Sequence, residues 1–181
     1  MKRPNWLLIL LGLLLGCCSL SAQEPATNSG AASNPEPGTY QIRNQKYHEL
    51  LRPRDANFAD GTRLVLYSAQ PWKCMTWRLR PEQPSGFRVQ NLFTSKTFAA
   101  EAKGEAAGPA VVQVPLKPSG APAWQFTALG DGSYKITDPE SGKALTAIDG
   151  GGEVKVAIEP WRNAAEQKWE LQKMDPRQLT M

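Results

Sequence analysis

The chain has 181 residues, 21 Lys and Arg against 17 Asp and Glu, a formal net charge of +4 and a single histidine. One histidine excludes a metal cluster built on imidazoles and any triad needing a second one, and so small a net charge argues against a nucleic-acid binder. This length suits one domain, and about 137 residues between the two ends can bury some two thirds of their unfolded surface.

Met1-Lys2-Arg3 and the apolar run Trp6 to Leu15 read as the n- and h-regions of a secretory signal, too short for a stable membrane span. Two cleavages compete. Leu20-Ser21-Ala22 before Gln23 suits ordinary signal peptidase, whereas Leu14-Leu15-Gly16-Cys17 matches a bacterial lipoprotein box whose Cys17 would be acylated. Such an N-terminal lipid would be the chain's one contact with a membrane. Loss of Lys2 and Arg3 with the leader would bring the net charge to about +2. Residues 23–37 carry no aromatic or branched aliphatic side chain and read as a disordered linker.

From Gly38 onward the chain repeats itself. Tyr40, Phe87 and Tyr134 are 47 residues apart, as are Asn44, Asn91 and Asp138, and as are Leu51, Phe98 and Leu145. Each unit ends on a tryptophan, Trp77, Trp124 and Trp169, spaced 47 and then 45, so the last unit has lost two residues from a loop. Such self-similarity means one supersecondary unit used three times around a shared core. Alternation in Tyr40 and Ile42, and in Val154, Val156 and Ile158, is the period of half-buried strands. Turn residues at Asp60-Gly61, Pro84-Ser85-Gly86, Asp131-Gly132 and Gly150-Gly151-Gly152 punctuate them, giving about four short strands per unit. The expected layout is a signal peptide over 1–22, a linker over 23–37, an all-β repeat domain over 38–174 and a tail over 175–181.

Three such units, each closing on Gln-any-Trp or a relic of it, resemble the ricin B-chain type β-trefoil lectin domain. Gln167-Lys168-Trp169 keeps the motif whole; the other copies read Met75-Thr76-Trp77 and Pro122-Ala123-Trp124. The resemblance implies a β-trefoil and a shallow sugar site in a repeat. That site would hold a carboxylate after the first apolar column, an aromatic ending the second hairpin strand and polar residues before the tryptophan. The carboxylate positions here are Arg52, Ala99 and Thr146, the aromatic positions Tyr67, Val114 and Ala157, and the residues before the tryptophan motif Cys74-Met75, Ala121-Pro122 and Glu166-Gln167. No unit holds the full set.

Unit one replaces the carboxylate by Arg52 beside Tyr67, with Trp72 close in sequence. From Tyr40 to Pro81 there are eight Lys and Arg against three Asp and Glu, while Asp131 to Asp175 has six against nine. A guanidinium over an aromatic ring suits a planar anion such as a uronate carboxylate or a sulfate, and a plain solvated strand face is the bland alternative. Unit three offers Asp149, Asn163 and Gln167 with Trp161, although Gln167 could equally bond backbone. His48 reads as a solvated turn residue, and Cys74, alone in the domain, as a buried thiol. Its alternative is a bridge to Cys18. Together these features predict an exported, non-catalytic carbohydrate-binding module without cofactor or metal. The rival is a protein-interaction or inhibitor trefoil that uses the loop tryptophans Trp72 and Trp161.

Overall fold

In the computed structural model the described residues are 33–101, 109–117 and 123–181. The signal segment, Cys17, Cys18 and linker residues 23–32 lie outside them. Twelve strands follow in chain order, four to a unit. Unit one contains β1 (Gly38–Asn44), β2 (Leu50–Pro53), β3 (Leu64–Tyr67) and β4 (Thr76–Pro81). Unit two contains β5 (Phe87–Asn91), β6 (Thr97–Ala100), β7 (Val111–Val114) and β8 (Gln125–Ala128). Unit three contains β9 (Tyr134–Thr137), β10 (Ala144–Asp149), β11 (Val154–Glu159) and β12 (Lys168–Lys173).

The first and fourth strands of the units close a six-stranded barrel. β1 pairs with β4 and β12, β4 with β5, β8 with β9 and β9 with β12, and the Phe87–Trp124 bridge joins β5 to β8. The second and third strands form hairpins that meet one another, Lys155 opposite Val65, Arg63 opposite Val112 and Ala110 opposite Ala157. This is the β-trefoil, and closing the sheet on itself leaves the barrel no free edge.

The repeat columns show why the sequence folds this way. Ile42, Val89 and Ile136 are fully buried at successive 47-residue steps, as are Leu51, Phe98 and Leu145. Trp77, Trp124 and Trp169 are also fully buried, and their indole N–H groups donate to the carbonyls of Leu51 (2.9 Å), Phe98 (3.1 Å) and Leu145 (3.0 Å). Each ring thus brings large apolar area into the core while its one polar atom is satisfied.

The turns repeat equally well. Asn44, Asn91 and Asp138 accept from backbone N–H groups two or three residues on, at Lys46, Phe93 and Ser141. The amides of Asn44 and Asn91 also donate to the carbonyls of Glu166 and Cys74, pinning one unit's turn to another unit's last connection. His48, Ser95 and Gly142 occupy the same left-handed position, at φ 57°, 60° and 69°. His48 is exposed there, as its turn position implied.

Both ends of the domain extend beyond the expected limits. Pro35 is buried and the carbonyl of Glu36 accepts from the Tyr40 hydroxyl at 3.0 Å, so the last part of the linker is packed. Residues 175–181, expected as a tail, include a 3-10 turn over Pro176–Gln178 capped by Asp175, a buried Leu179, and Thr180 bridged to Trp72. One apolar residue and two backbone hydrogen bonds suffice to hold a segment whose composition resembles a loose end.

Candidate functional site

The β2–β3 hairpin sets Leu50 against Tyr67 and Arg52 against Val65. From these positions the guanidinium of Arg52 reaches the face of the Tyr67 ring, 3.9 Å from its centroid. Tyr67 is 40% exposed, and the half-buried Trp72 stacks beside it at 6.1 Å with 26° between the ring planes. All three residues expected in unit one therefore meet. Trp72 also packs, with Ala56 and Phe93, on a small buried cluster of Leu50, Cys74 and Met75.

Arg52 differs in its partners from Arg43, Arg54 and Arg162. Arg43 pairs with Glu170 at 3.1 Å, Arg54 with Glu153, and Arg162 with Glu159 at 2.8 Å. Among the described residues no carboxylate pairs with Arg52, and its Nε, shielded from water, meets no acceptor. A shielded cationic donor without an acceptor is costly, and Nε, out of reach of water, is equally out of reach of a ligand, so only the open side of the half-buried guanidinium can meet an anion. Cys74 is a free, buried thiol. Burial pushes its pKa up and the nearby Arg52 charge pulls against that rise, so the neutral thiol is no counterion for the guanidinium.

Unit three does not assemble as expected. Gln167 is fully buried and its amide is engaged within the protein: Nε2 donates to the Thr146 hydroxyl (3.0 Å) and the Pro160 carbonyl (2.8 Å), and Oε1 accepts from the Arg162 N–H (2.7 Å). It holds the loop and cannot touch a ligand. Thr146 is 1% exposed, which closes the position that Arg52 occupies in unit one. Asp149 is also displaced. It faces Val154 at the tip of the β10–β11 hairpin, where it accepts from the Gly151 N–H, whereas Trp161 follows Glu159 at the other end, opposite Ala144. Five residues of strand place those ends about 16 Å apart.

Trp161 and the exposed Asn163 share a loop, and Lys135 Nζ lies 5.6 Å from the Trp161 ring centroid. Asn163 is left-handed at φ 57°, a turn role that side chain tolerates. The pairing also corrects the aromatic column. Leu50 faces Tyr67, Thr97 faces Val114 and Ala144 faces Glu159, so unit three has Glu159 there and Ala157 lies two residues short of it. The two missing residues fall in the β10–β11 turn.

Other features lay outside the sequence reading. Phe58, 53% exposed, packs on Phe93 at 4.6 Å. Gln113, fully buried, accepts from the Thr94 hydroxyl at 2.6 Å and donates to the carbonyls of Asn57 and Ala59. A glutamine amid Val111, Val112 and Val114 was the available signal for a buried bonding role. Two concave cavities of about 290 Å³ lie elsewhere, one by Glu101, Asp138 and Ile158, the other by Pro81, Phe87 and Gln125.

The chain resembles ricin-type β-trefoil lectin domains in sequence and in fold. A family described as "Ricin-type beta-trefoil lectin domain-like" matches residues 121–180. No curated protein matches the chain. Among solved structures, the designed threefold-symmetric protein ThreeFoil superposes with a TM-score of 0.68 at 24% identity over 76% of this chain and 99% of its own. The exo-beta-1,3-galactanase 1,3Gal43A from Clostridium thermocellum gives 0.66 at 19% identity over 78% of this chain but 31% of its own. The Macrolepiota procera ricin B-like lectin, solved in complex with lactose, gives 0.63 at 15% identity over 78% of this chain and 100% of its own. At these identities the likeness is one of fold.

Proposed function

We propose that this protein is a non-catalytic, lectin-like carbohydrate-binding module whose working site is in unit one and favours anionic glycans. The observation that carries the reading is Arg52: its guanidinium lies 3.9 Å over an exposed tyrosine, with no carboxylate partner among the described residues. A uronate carboxylate or a sulfate would supply the missing counterion to the guanidinium, while Tyr67 and Trp72 cover the apolar sugar face. An arginine where the resembled lectins hold a carboxylate removes the usual acceptor of neutral sugar hydroxyls. A fold shared with a lactose-bound lectin supports the carbohydrate class.

The single histidine, His48, stands exposed in a turn. Export belongs to the proposal on the first 22 residues alone, with acylation at Cys17 as its lipid-anchored form. The rival reading, a protein-binding trefoil, draws on the exposed Phe58 over Phe93 and the loop rings Trp72 and Trp161.

A glycan array probed with the purified protein at low and moderate salt tests both. Salt-sensitive binding to uronic or sulfated glycans, reduced at least tenfold in Arg52→Ala and Tyr67→Ala, is the expected result. Silence from a protein with an intact melting transition would overturn the lectin reading and direct attention to protein partners.

A further inference from the structure

We propose that the C-terminal segment 175–180 is the positioning element of the unit-one site, doing for Trp72 what the buried glutamine does for the corresponding loop in unit three. The inference rests on the reading of that site given above. In unit three, Gln167 ties down the loop ahead of the last strand through the Pro160 carbonyl and the Arg162 N–H. Hairpin register and the turn preceding the strand identify its counterpart in unit one as Met75: Met75 N donates to Trp72 O as Gln167 N donates to Ala164 O. A thioether cannot bond backbone in this way. The equivalent stretch, residues 68–71, is exposed throughout.

Two other anchors hold it. Gln41, 5% exposed, donates to the Gln70 carbonyl at 2.7 Å. Thr180 brackets Trp72, its N–H donating to the Pro71 carbonyl at 2.9 Å and its carbonyl accepting from the Lys73 N–H at 2.9 Å. The segment carrying Thr180 is itself built to stay in place. Asp175 caps its 3-10 turn, accepting from the Arg177 N–H at 3.0 Å and from the Arg177 guanidinium, and Leu179 is buried. The bracket thus fixes the backbone of the residue whose ring stacks on Tyr67, and Tyr67 in turn supports Arg52. With methionine in place of the glutamine this stretch lacks that side-chain tie, and the C-terminal segment holds it from the other side.

The test compares wild type with Thr180→Pro, which deletes the donor to Pro71, and Leu179→Ala, which loosens the segment. Each is also made in a Trp161→Phe background, leaving Trp72 as the half-buried ring among the described tryptophans. Hydrogen exchange at the Lys73 amide and the emission of Trp72 report the bracket without ligand. Binding to a galacturonic acid hexamer reports the site. We expect at least tenfold faster Lys73 exchange, red-shifted Trp72 emission and at least tenfold weaker binding, with exchange at the barrel amides unchanged. Unchanged exchange and emission in both variants would overturn the proposal, as would full binding once the bracket is released. If wild type itself fails to bind acidic glycans, the functional reading fails, and exchange and emission still decide whether the segment positions Trp72.

Discussion

Units one and three begin from the same scaffold and end with opposite surfaces. Both set a fully buried tryptophan against a hairpin carbonyl, both cap their turn with Asn or Asp, and both lead into the last strand through a 3-10 turn. They diverge at three positions: Arg52, Tyr67 and Met75 in unit one against Thr146, Glu159 and Gln167 in unit three. In unit three the neutral hydroxyl and amide bond each other and seal the position. In unit one a charge without a carboxylate sits on a ring open to solvent. Threefold symmetry is therefore kept where the chain must pack and abandoned where it can meet something else.

The shared scaffold can be challenged most severely at its tryptophans. Trp77→Ala and Trp169→Ala each lose a fully buried ring and orphan a buried carbonyl, at Leu51 or Leu145. Each should cost about 3–5 kcal/mol by denaturant unfolding, with similar values for the two. A large inequality would mean that the units do not share their core equally.

The divergence can be broken next by making unit three resemble unit one. Gln167→Met leaves the Thr146 hydroxyl, the Arg162 N–H and the Pro160 carbonyl without their present partner. The expected cost is about 1–3 kcal/mol, with faster hydrogen exchange at Arg162. Glycan binding through unit one should be untouched, and any loss would show that Gln167 serves the site after all.

A smaller effect is expected for stability at Arg52. Replacing it by Met forfeits a cation–π contact of about 0.5–1 kcal/mol but also removes a shielded donor without an acceptor, and the two nearly cancel. Arg52→Met should therefore melt within a few degrees of wild type while losing affinity for acidic glycans. A steep loss of stability would make Arg52 a structural residue and favour the solvated-face reading.

What the sequence made legible follows the same division. The 47-residue columns could be read because they are packing and turn positions, where only large apolar side chains or short polar caps fit: Ile42, Val89 and Ile136, or Asn44, Asn91 and Asp138. The meeting of Arg52, Tyr67 and Trp72 could be read because two of them lie two rungs apart on one short hairpin, where side chains share a face. Asp149 was misplaced because residue type says nothing about which end of a hairpin it occupies; the Ala144–Glu159 pairing decides that. Ala157 was placed in the aromatic column by counting the shortened turn two residues too far; the Ala144–Glu159 pairing fixes the column at Glu159. The terminal segment was missed because Leu179 is its one buried apolar residue, although Asp175 ahead of Pro176 is a cap signal for a short helical turn.

Acid separates unit three from unit two in a last and weakest way. Asp131, in the turn that enters unit three, accepts from the Ser133 hydroxyl and backbone N–H, and Lys168 lies 3.2 Å away. These donors, the Ser133 hydroxyl foremost, hold its pKa down at about 2. The position 47 residues earlier is Pro84, and the carboxylate of that turn, Glu82, pairs instead with Arg88 across the turn at 2.8 Å. Because the folded value lies below the ordinary 3.8, folding favours the ionised form. The contribution is complete above that ordinary value and is lost as pH falls through the folded one. The stability difference between wild type and Asp131→Asn should thus be constant above about pH 4 and shrink toward pH 2, as measured by urea unfolding across the series. Salt should weaken the Lys168 part and spare the Ser133 part, since an exposed ion pair is screened while a hydrogen bond from a neighbouring hydroxyl is not. A difference that persists undiminished to pH 2 would show that the Ser133 turn holds without the charge, and unit three would then enter its barrel on the same footing as its neighbours.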